Sequence, residues 1–241
     1  MRVAGNGPSP VPPEAMSHVG PHSTRAERVA NALSYFLNPL AFPPIAFTLV
    51  SWHFGAPPLE VAWVFALSVT FFCVVPLLAL LWMVREGRAE SVEIRDRTRR
   101  RFPLLVAVGS YLVGIVALGA STGTATAVLV AFALIYPVNT LILIAITHWW
   151  KISIHMAGLA AFVSGLLFVS LVAWRDLPAD WEAALTLATT APLMLLLPVL
   201  MWARVKIRAH TVGQVVAGAA FGLFVPLAEL YLLTYTILDL A

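Results

Sequence analysis

Hydrophobic residues run along this chain in seven long stretches, each close to the roughly 20 residues that cross a bilayer as a helix. The stretches lie near residues 30–53, 58–84, 103–121, 124–148, 153–174, 183–202 and 211–238. Short polar or charged segments separate them, and the sequence contains no evident internal repeat. The pattern predicts an all-α fold, a polytopic transmembrane helical bundle of about seven spans.

The two ends of the chain differ in character. Residues 1–28 are rich in proline, glycine and polar residues and lack the apolar core of a signal peptide, so we expect a disordered N-terminal tail. Residues 29–241 are expected to form a single transmembrane helical domain. Within its first span, Pro39, Pro43 and Pro44 predict a kink or an interruption.

The composition excludes a soluble globular class. Of the 241 residues, 60% are hydrophobic and only 11% are charged, and a soluble domain of this size cannot bury that much apolar surface. Cys73 is the single cysteine, which excludes an internal disulfide framework and a cysteine-based zinc site. We expect no nucleic-acid partner, no metal and no cofactor.

The cations are distributed unevenly across the predicted spans. With seven spans, fourteen of the fifteen lysines and arginines fall on the side of the N-terminus, and only Arg175 falls on the other. The positive-inside rule places that charged side in the cytoplasm. We therefore expect a multi-pass protein of a bacterial or archaeal cell membrane with this face in the cytoplasm.

Three cation-rich segments meet on that face, and the first covers residues 95–103. Its arginines could contact anionic lipid headgroups, as many cytoplasmic loops do. Alternatively, Arg97 and Arg100 could turn inward and bind a phosphate through their guanidinium groups. Asp96 would then pair with one of these arginines and orient it.

The second segment precedes the fifth hydrophobic stretch. Ser153 can cap the helix that follows, and His155 would lie in the first turn of that helix. The N-terminus of a helix favours an anion through its free N–H groups, and Lys151 adds a positive charge. The alternative is an interfacial pair of Trp150 and Lys151 with a histidine that happens to lie at the boundary.

The third segment precedes the seventh stretch and contains Arg204, Arg208 and His210. On a helix, His210, Gln214 and Gly218 would lie on one face, so Gln214 could accept the Nδ1 proton of His210 and leave Nε2 free to attack. Gly218 and Gly222 favour close helix packing just below this site.

The second and third segments together resemble the type 2 phosphatidic acid phosphatase superfamily, whose pattern is K-x6-R-P, then P-S-G-H, then S-R-x5-H-x3-D. Arg204-x5-His210 matches the third part and Ser153-x-His155 the second. The resemblance implies a six-helix membrane core over about residues 58–238, and it implies a metal-independent hydrolysis. It also implies that His210 forms a phosphohistidine and that His155 is the general acid. Arg204, Ser153 and the arginines of the first segment would bind the phosphate.

The chain also departs from that pattern. Ile152 and Ile154 replace the proline and glycine of the second part, Ala203 replaces the serine before Arg204, and the first part lacks its lysine. Gln214 stands where the family has the acid of the histidine relay. An amide orients the imidazole but adds no charge, so the rate could fall by up to roughly four orders of magnitude.

The favoured hypothesis is therefore a membrane phosphatase that acts on a lipid phosphate drawn from the bilayer. The headgroup would dock among Arg97, Arg100, Lys151, Arg204 and Arg208. An isoprenoid phosphate or diphosphate is the first candidate substrate, and phosphatidate is the second. Alternatives are a non-catalytic relative that binds or transports lipids, which Gln214 favours, and a solute transporter that uses Asn139 and Glu229. A prenyltransferase is disfavoured because the chain lacks Asp-rich magnesium-binding segments.

Overall fold

The computed structural model of the chain describes residues 23–234 apart from 90, 92, 95, 122, 124–125 and 174–177. Within these residues the chain is helical and contains no strand. Ten α-helices follow one another in this order: α1 Arg25–Phe36, α2 Phe42–His53, α3 Pro58–Ser68, α4 Val75–Arg85, α5 Arg101–Ala120, α6 Thr126–Trp149, α7 Ile154–Ala173, α8 Ala179–Met194, α9 Leu196–Lys206 and α10 Val212–Leu232.

Seven helical stretches in the described residues are long and apolar enough to cross a membrane, which confirms the predicted helical bundle. Three of them are pairs of consecutive helices: α1 with α2, α3 with α4, and α8 with α9. The stretches are Arg25–His53, Pro58–Arg85, Arg101–Ala120, Thr126–Trp149, Ile154–Leu171, Asp180–Lys206 and Val212–Leu232.

The first helix begins earlier than predicted. The side chain of Thr24 accepts a hydrogen bond from the Glu27 N–H, and the Glu27 carboxylate accepts one from the Thr24 N–H in return. This capping box satisfies two N–H groups at the helix N-terminus and starts α1 at Arg25. Residues 25–28, which the sequence placed in the tail, are therefore helical, while residues 1–22 lie outside the described part of the chain.

The first span is interrupted at its first proline, as predicted. Helix α1 ends at Phe36, and Asn38 caps a short 3-10 turn over Pro39–Ala41 before α2 begins. Pro43 and Pro44 lie in the first turn of α2, where a missing N–H costs nothing. Pro39 packs against Gly158 of α7, where a side chain on the glycine would collide with it. The interruption between α1 and α2 therefore packs against the surface of α7.

Helices α7 and α10 form the centre of the bundle and approach each other closely. A Cβ atom on Gly218 would lie 2.6 Å from the Ser153 carbonyl oxygen, and one on Gly222 would lie 2.7 Å from Ala160 Cβ. Ser164 Oγ donates a hydrogen bond of 2.9 Å to the Gly222 carbonyl oxygen. The predicted small-residue packing is confirmed, and it holds the first turns of both helices side by side.

Aromatic side chains fill the core between α2, α5, α6 and the second span. Phe72 stacks on Tyr111 with ring centroids 4.9 Å apart. It lies on a π-helical segment, Val69–Val74, that joins α3 to α4 just before Pro76. Pro76 has no N–H that could donate to a carbonyl of the preceding turn. Ser110 Oγ, on α5, donates a hydrogen bond to the Phe71 carbonyl oxygen. A neighbouring helix therefore satisfies a carbonyl in the irregular turn.

Two polar residues inside the spans pair with each other. Asn139 Nδ2 on α6 donates a hydrogen bond of 2.5 Å to Glu229 Oε2 on α10 and a second, of 2.7 Å, to the Ile135 carbonyl oxygen. Both residues therefore face the interior of the bundle, as is typical of polar residues in membrane spans. It also gives Glu229 a structural partner far along α10 from His210.

Candidate functional site

The three cation-rich segments predicted to share one face are tied together by side chains. Three cations each donate a hydrogen bond to a backbone carbonyl oxygen. Two of these oxygens belong to another cation-rich segment, and one belongs to the end of α6. These hydrogen bonds run from Arg97 Nη1 to His148 O (2.9 Å), from Arg100 Nη1 to Ile152 O (3.4 Å) and from Lys151 Nζ to Ala209 O (2.9 Å). The three segments therefore form one cluster, as the sequence permitted.

Ser153 caps α7 as predicted. Its side-chain oxygen lies 3.5 Å from the Met156 N–H, its carbonyl accepts from Ala157, and its side chain is fully buried. The Ser153 N–H in turn donates to the Gln214 carbonyl oxygen at 3.3 Å. This bond fixes the second segment against the start of α10, and His155 follows as the second residue of α7.

His210 lies just before α10, rather than on it as the predicted helical spacing assumed. Thr211 is the N-cap of this helix, and its side chain forms a capping box with Gln214. The predicted hydrogen bond is nevertheless present, because Gln214 Oε1 reaches back to within 3.0 Å of His210 Nδ1. Since Oε1 can only accept, His210 carries its proton on Nδ1 and leaves the lone pair on Nε2 free.

His210 is buried, at 7% exposure, among positive charges. Burial and the charges of Arg204, Lys151 and Arg100 lower the pKa of His210 to about 3, although the hydrogen bond with Gln214 raises it. The imidazole is therefore neutral at physiological pH. A neutral ring with a free Nε2 is the form in which histidine acts as a nucleophile.

Arg204 pairs with a carboxylate from the loop just before the first segment. It is 3% exposed, and its Nη1 donates a hydrogen bond of 2.6 Å to Glu93 Oε1. The same oxygen lies 3.4 Å from His155 Nε2 without forming a hydrogen bond to it. One carboxylate oxygen therefore touches both the arginine and the second histidine of the proposed phosphate site.

Sequence reasoning missed Glu93. The residue is separated from Arg204 by 111 positions, and nothing in the local spacing connects the two. The relevant signal was a carboxylate on the loop that also carries Arg97 and Arg100, since a buried arginine needs an anionic partner. That signal identifies the loop as the source of the partner but does not single out Glu93.

Some predicted contacts are absent from the described residues. Arg208 is exposed in a left-handed turn, with φ of 54°, and no hydrogen bond or ion pair in the described part of the chain joins it to either histidine. Asp96 pairs with Arg99, at 3.6 Å, and its negative charge also acts on Arg100. The buried cations nearest to the histidines are therefore Arg204 and Arg100.

The described residues contain no group of three or more histidine, cysteine, aspartate or glutamate side chains arranged to hold a metal ion. The polar groups of the site are instead two imidazoles, two buried guanidinium groups, one ammonium group and one carboxylate. Positive charge exceeds negative charge in this set, which favours an anionic ligand.

Comparison of the chain with models of protein families, with curated proteins and with solved structures gave no match.

Proposed function

We propose that the protein is an integral membrane phosphatase that releases phosphate from a lipid phosphate through a phosphohistidine. The observation that carries the proposal is the hydrogen bond of 3.0 Å between His210 Nδ1 and Gln214 Oε1. It leaves His210 Nε2 unprotonated, within a cluster that contains a second histidine and buried arginines.

Two polar atoms without hydrogen bonds support a ligand at this position. Arg204 Nε and His155 Nε2 are both buried and lack a hydrogen-bond partner among the described residues. Such groups cost about 1–3 kcal/mol each unless something satisfies them. A phosphate offers several acceptor oxygens to the guanidinium and, through the ester oxygen, an acceptor for a proton on His155.

In the first step, the lone pair of His210 Nε2 forms a bond to phosphorus while the bond from phosphorus to the lipid oxygen breaks. His155, which enters this step as an imidazolium ion, gives its Nε2 proton to that oxygen and becomes a neutral imidazole, so the lipid departs as a neutral alcohol, or as the shorter phosphate if the substrate is a diphosphate. The proton on His210 Nδ1 stays in place and remains hydrogen-bonded to Gln214.

In the second step, water attacks the phosphorus of the phosphohistidine. The N–P bond breaks, its electrons return to His210 Nε2, and the proton of the water passes to His155 Nε2. Arg204 and Arg100 stabilise the negative charge on the phosphoryl oxygens in both steps. Both histidines end in their starting forms, and inorganic phosphate is released.

The substrate we propose is a phosphate monoester or diphosphate of a membrane lipid, with an isoprenoid chain as first choice and phosphatidate as second. The site lies at the end of apolar helices that are long enough to span a bilayer. A lipid could therefore present its headgroup to the cluster while its chain stays among the helices. No residue in the cluster distinguishes one hydrocarbon chain from another.

We also propose that this face lies in the cytoplasm, because the positive charges concentrate there. Two single-cysteine variants in a Cys73→Ala background test the orientation with an impermeant thiol reagent on intact cells. Arg99→Cys on the charged face should resist labelling, whereas Leu59→Cys at the opposite end, where the native side chain is 83% exposed, should react. The reverse result would invert the orientation.

The decisive experiment is phosphate release by the purified protein in detergent, without added metal, from prenyl phosphates, prenyl diphosphates and phosphatidate. His210→Ala should abolish release, whereas His53→Ala, which alters a histidine at the opposite end of the bundle, should retain it. Release that survives His210→Ala would contradict the proposal.

The second candidate function is lipid binding or transport without hydrolysis. Gln214 favours it, because an amide cannot supply the charge that stabilises an imidazolium. Saturable binding of a lipid phosphate by both wild type and His210→Ala, with no phosphate release from either, would support this candidate. Activity that appears only in Gln214→Asp would indicate a phosphatase scaffold retained for another task.

A further inference from the structure

We propose that Glu93 is a built-in competitor for the phosphate site. Its carboxylate holds the place that a phosphate oxygen would take between Arg204 and His155, and it must move away when a phosphate enters. The inference rests on the proposed function, because it concerns the same site. It adds a residue that sets how tightly the phosphate binds and how readily it leaves.

The geometry is that of a bound anion. Glu93 Oε1 accepts the hydrogen bond of 2.6 Å from Arg204 and lies 3.4 Å from His155 Nε2. A phosphoryl oxygen that accepted a hydrogen bond from Arg204 and placed its ester oxygen near His155 would need the same space. Carboxylate and phosphate oxygens are also the two kinds of acceptor that a guanidinium group binds most strongly.

The two partners differ in how firmly the fold holds them. The side chain of Arg204 is 4% exposed and extends from the last turn of α9, whereas that of Glu93 is 22% exposed and extends from the loop between α4 and α5. Within that loop, Ser91 Oγ donates to the Glu93 carbonyl oxygen, and Arg100 Nε donates to the carbonyl oxygen of Ile94. Both bonds hold the backbone of the loop, and the more exposed Glu93 side chain is the partner that we propose moves when a phosphate enters.

An entering phosphate and the Glu93 carboxylate repel each other, because two anions a few ångströms apart in a buried site interact strongly. Without any anion, however, Arg204 would be a buried charge with no counterion, which is costly. Glu93 thus compensates Arg204 while the site is empty. It lowers the affinity for phosphate and, by returning to Arg204, favours release of the product.

The test is calorimetric titration of the full-length protein in detergent with inorganic phosphate, at a pH of about 8, where phosphate is mostly dianionic. Glu93→Gln should bind phosphate at least about tenfold more tightly than wild type, since it removes the competing charge but keeps the size of the side chain. Glu86→Gln is the matched control: it makes the same change of side chain at an exposed position where the same loop begins. Its affinity should stay within about twofold of wild type, because exposed charges are screened.

Each outcome separates this inference from the proposed function. Binding that Arg204→Gln abolishes, but that Glu93→Gln leaves unchanged or weakens, would overturn the competitor role and retain the phosphate site. An equal gain in Glu86→Gln would also overturn it, because the effect would then reflect general charge. Failure of wild type and Glu93→Gln alike to bind phosphate would remove both proposals. If Glu93→Gln does not fold, as judged by its thermal transition, Glu93→Ala replaces it with the same expected gain.

Discussion

His210 Nδ1 lies 3.0 Å from Gln214 Oε1, and the same oxygen is 3.3 Å from the Thr211 N–H. Because a backbone N–H can only donate, Gln214 must turn its oxygen, and not its amide nitrogen, towards both groups. The imidazole then carries its proton on Nδ1. The capping box of α10 therefore selects the tautomer of His210, which links the start of a helix directly to the chemistry of the site.

The role of the Gln214 amide can be tested by substitutions that keep or remove its hydrogen bond with His210. Gln214→Glu keeps the length of the side chain and the capping box and adds a negative charge, so we expect phosphate release to rise by at least about tenfold. Gln214→Leu removes the acceptor and should lower the rate by at least about tenfold, because the tautomer is no longer fixed. Single-turnover rates of phosphate release measure both changes, and a slower Gln214→Glu would contradict this account of the relay.

The depressed pKa of His210 predicts the behaviour of the site in acid. An ordinary histidine, with a pKa near 6.5, is mostly protonated at about pH 5, whereas His210, with its pKa lowered to about 3 chiefly by burial, should still be neutral. ¹⁵N NMR spectra of histidine-labelled protein, with His210→Gln used for assignment, should show the Nδ1–H form from pH 7 down to about 5. A titration midpoint near pH 6.5 for the His210 ring would show that burial and the neighbouring charges do not lower its pKa.

The lowered pKa of His210 also determines whether acid raises or lowers the stability of the folded protein. Since the folded state disfavours the charged ring, the neutral His210 contributes its full stability above the unfolded pKa of about 6.5. That contribution is lost as the pH falls from there towards the folded pKa of about 3. The midpoint of thermal unfolding should therefore fall less on acidification in His210→Gln than in wild type.

Much of the fold could be predicted from the sequence, because a span is a local property of about 20 apolar residues. The cap at Ser153 and the close packing at Gly218 and Gly222 were likewise evident from neighbouring residues. The start of α1 was missed although its capping box, Thr24 with Glu27, is also local. That signal was overlooked in a segment that composition had assigned to the tail.

The charge balance of the site could not be predicted in the same way. The pair of Glu93 and Arg204 depends on how a loop folds over a distant helix end, and no periodicity encodes such a contact. Arg208 lies four residues from Arg204, yet a left-handed turn leaves it exposed. Its part in binding a phosphate stays a prediction.

Two adjacent arginines should differ sharply in their importance. Arg100 is buried and ties the first segment to the Ile152 carbonyl oxygen, whereas the side chain of Arg99 is 51% exposed. Arg100→Gln should lower kcat/KM for phosphate release by at least about tenfold, since it removes both a buried charge and a link between segments. Arg99→Gln should change it by less than about twofold. Equal effects would indicate that only the overall charge of the loop matters.

The contact between α7 and α10 predicts a large effect from a single methyl group. Gly222→Ala places a Cβ against Ala160 and the carbonyl oxygen of Ala157, and such overpacking costs about 1–3 kcal/mol. Gly213→Ala is the matched control on the same helix, because a Cβ there meets nothing within 4 Å. Thermal unfolding in detergent should show a loss for the first variant and none for the second. Similar thermal unfolding midpoints for Gly222→Ala and Gly213→Ala would mean that α7 and α10 do not approach each other this closely.

The central claim is that His210 becomes covalently phosphorylated, and the most direct measurement is to trap that intermediate. The protein is mixed with ³²P-labelled prenyl phosphate, denatured within the first turnover, and mapped by peptide. The account predicts an acid-labile, alkali-stable label on the peptide that carries His210 and none in His210→Ala. Turnover of the substrate with no label on His210, or a label that persists in His210→Ala, would contradict it.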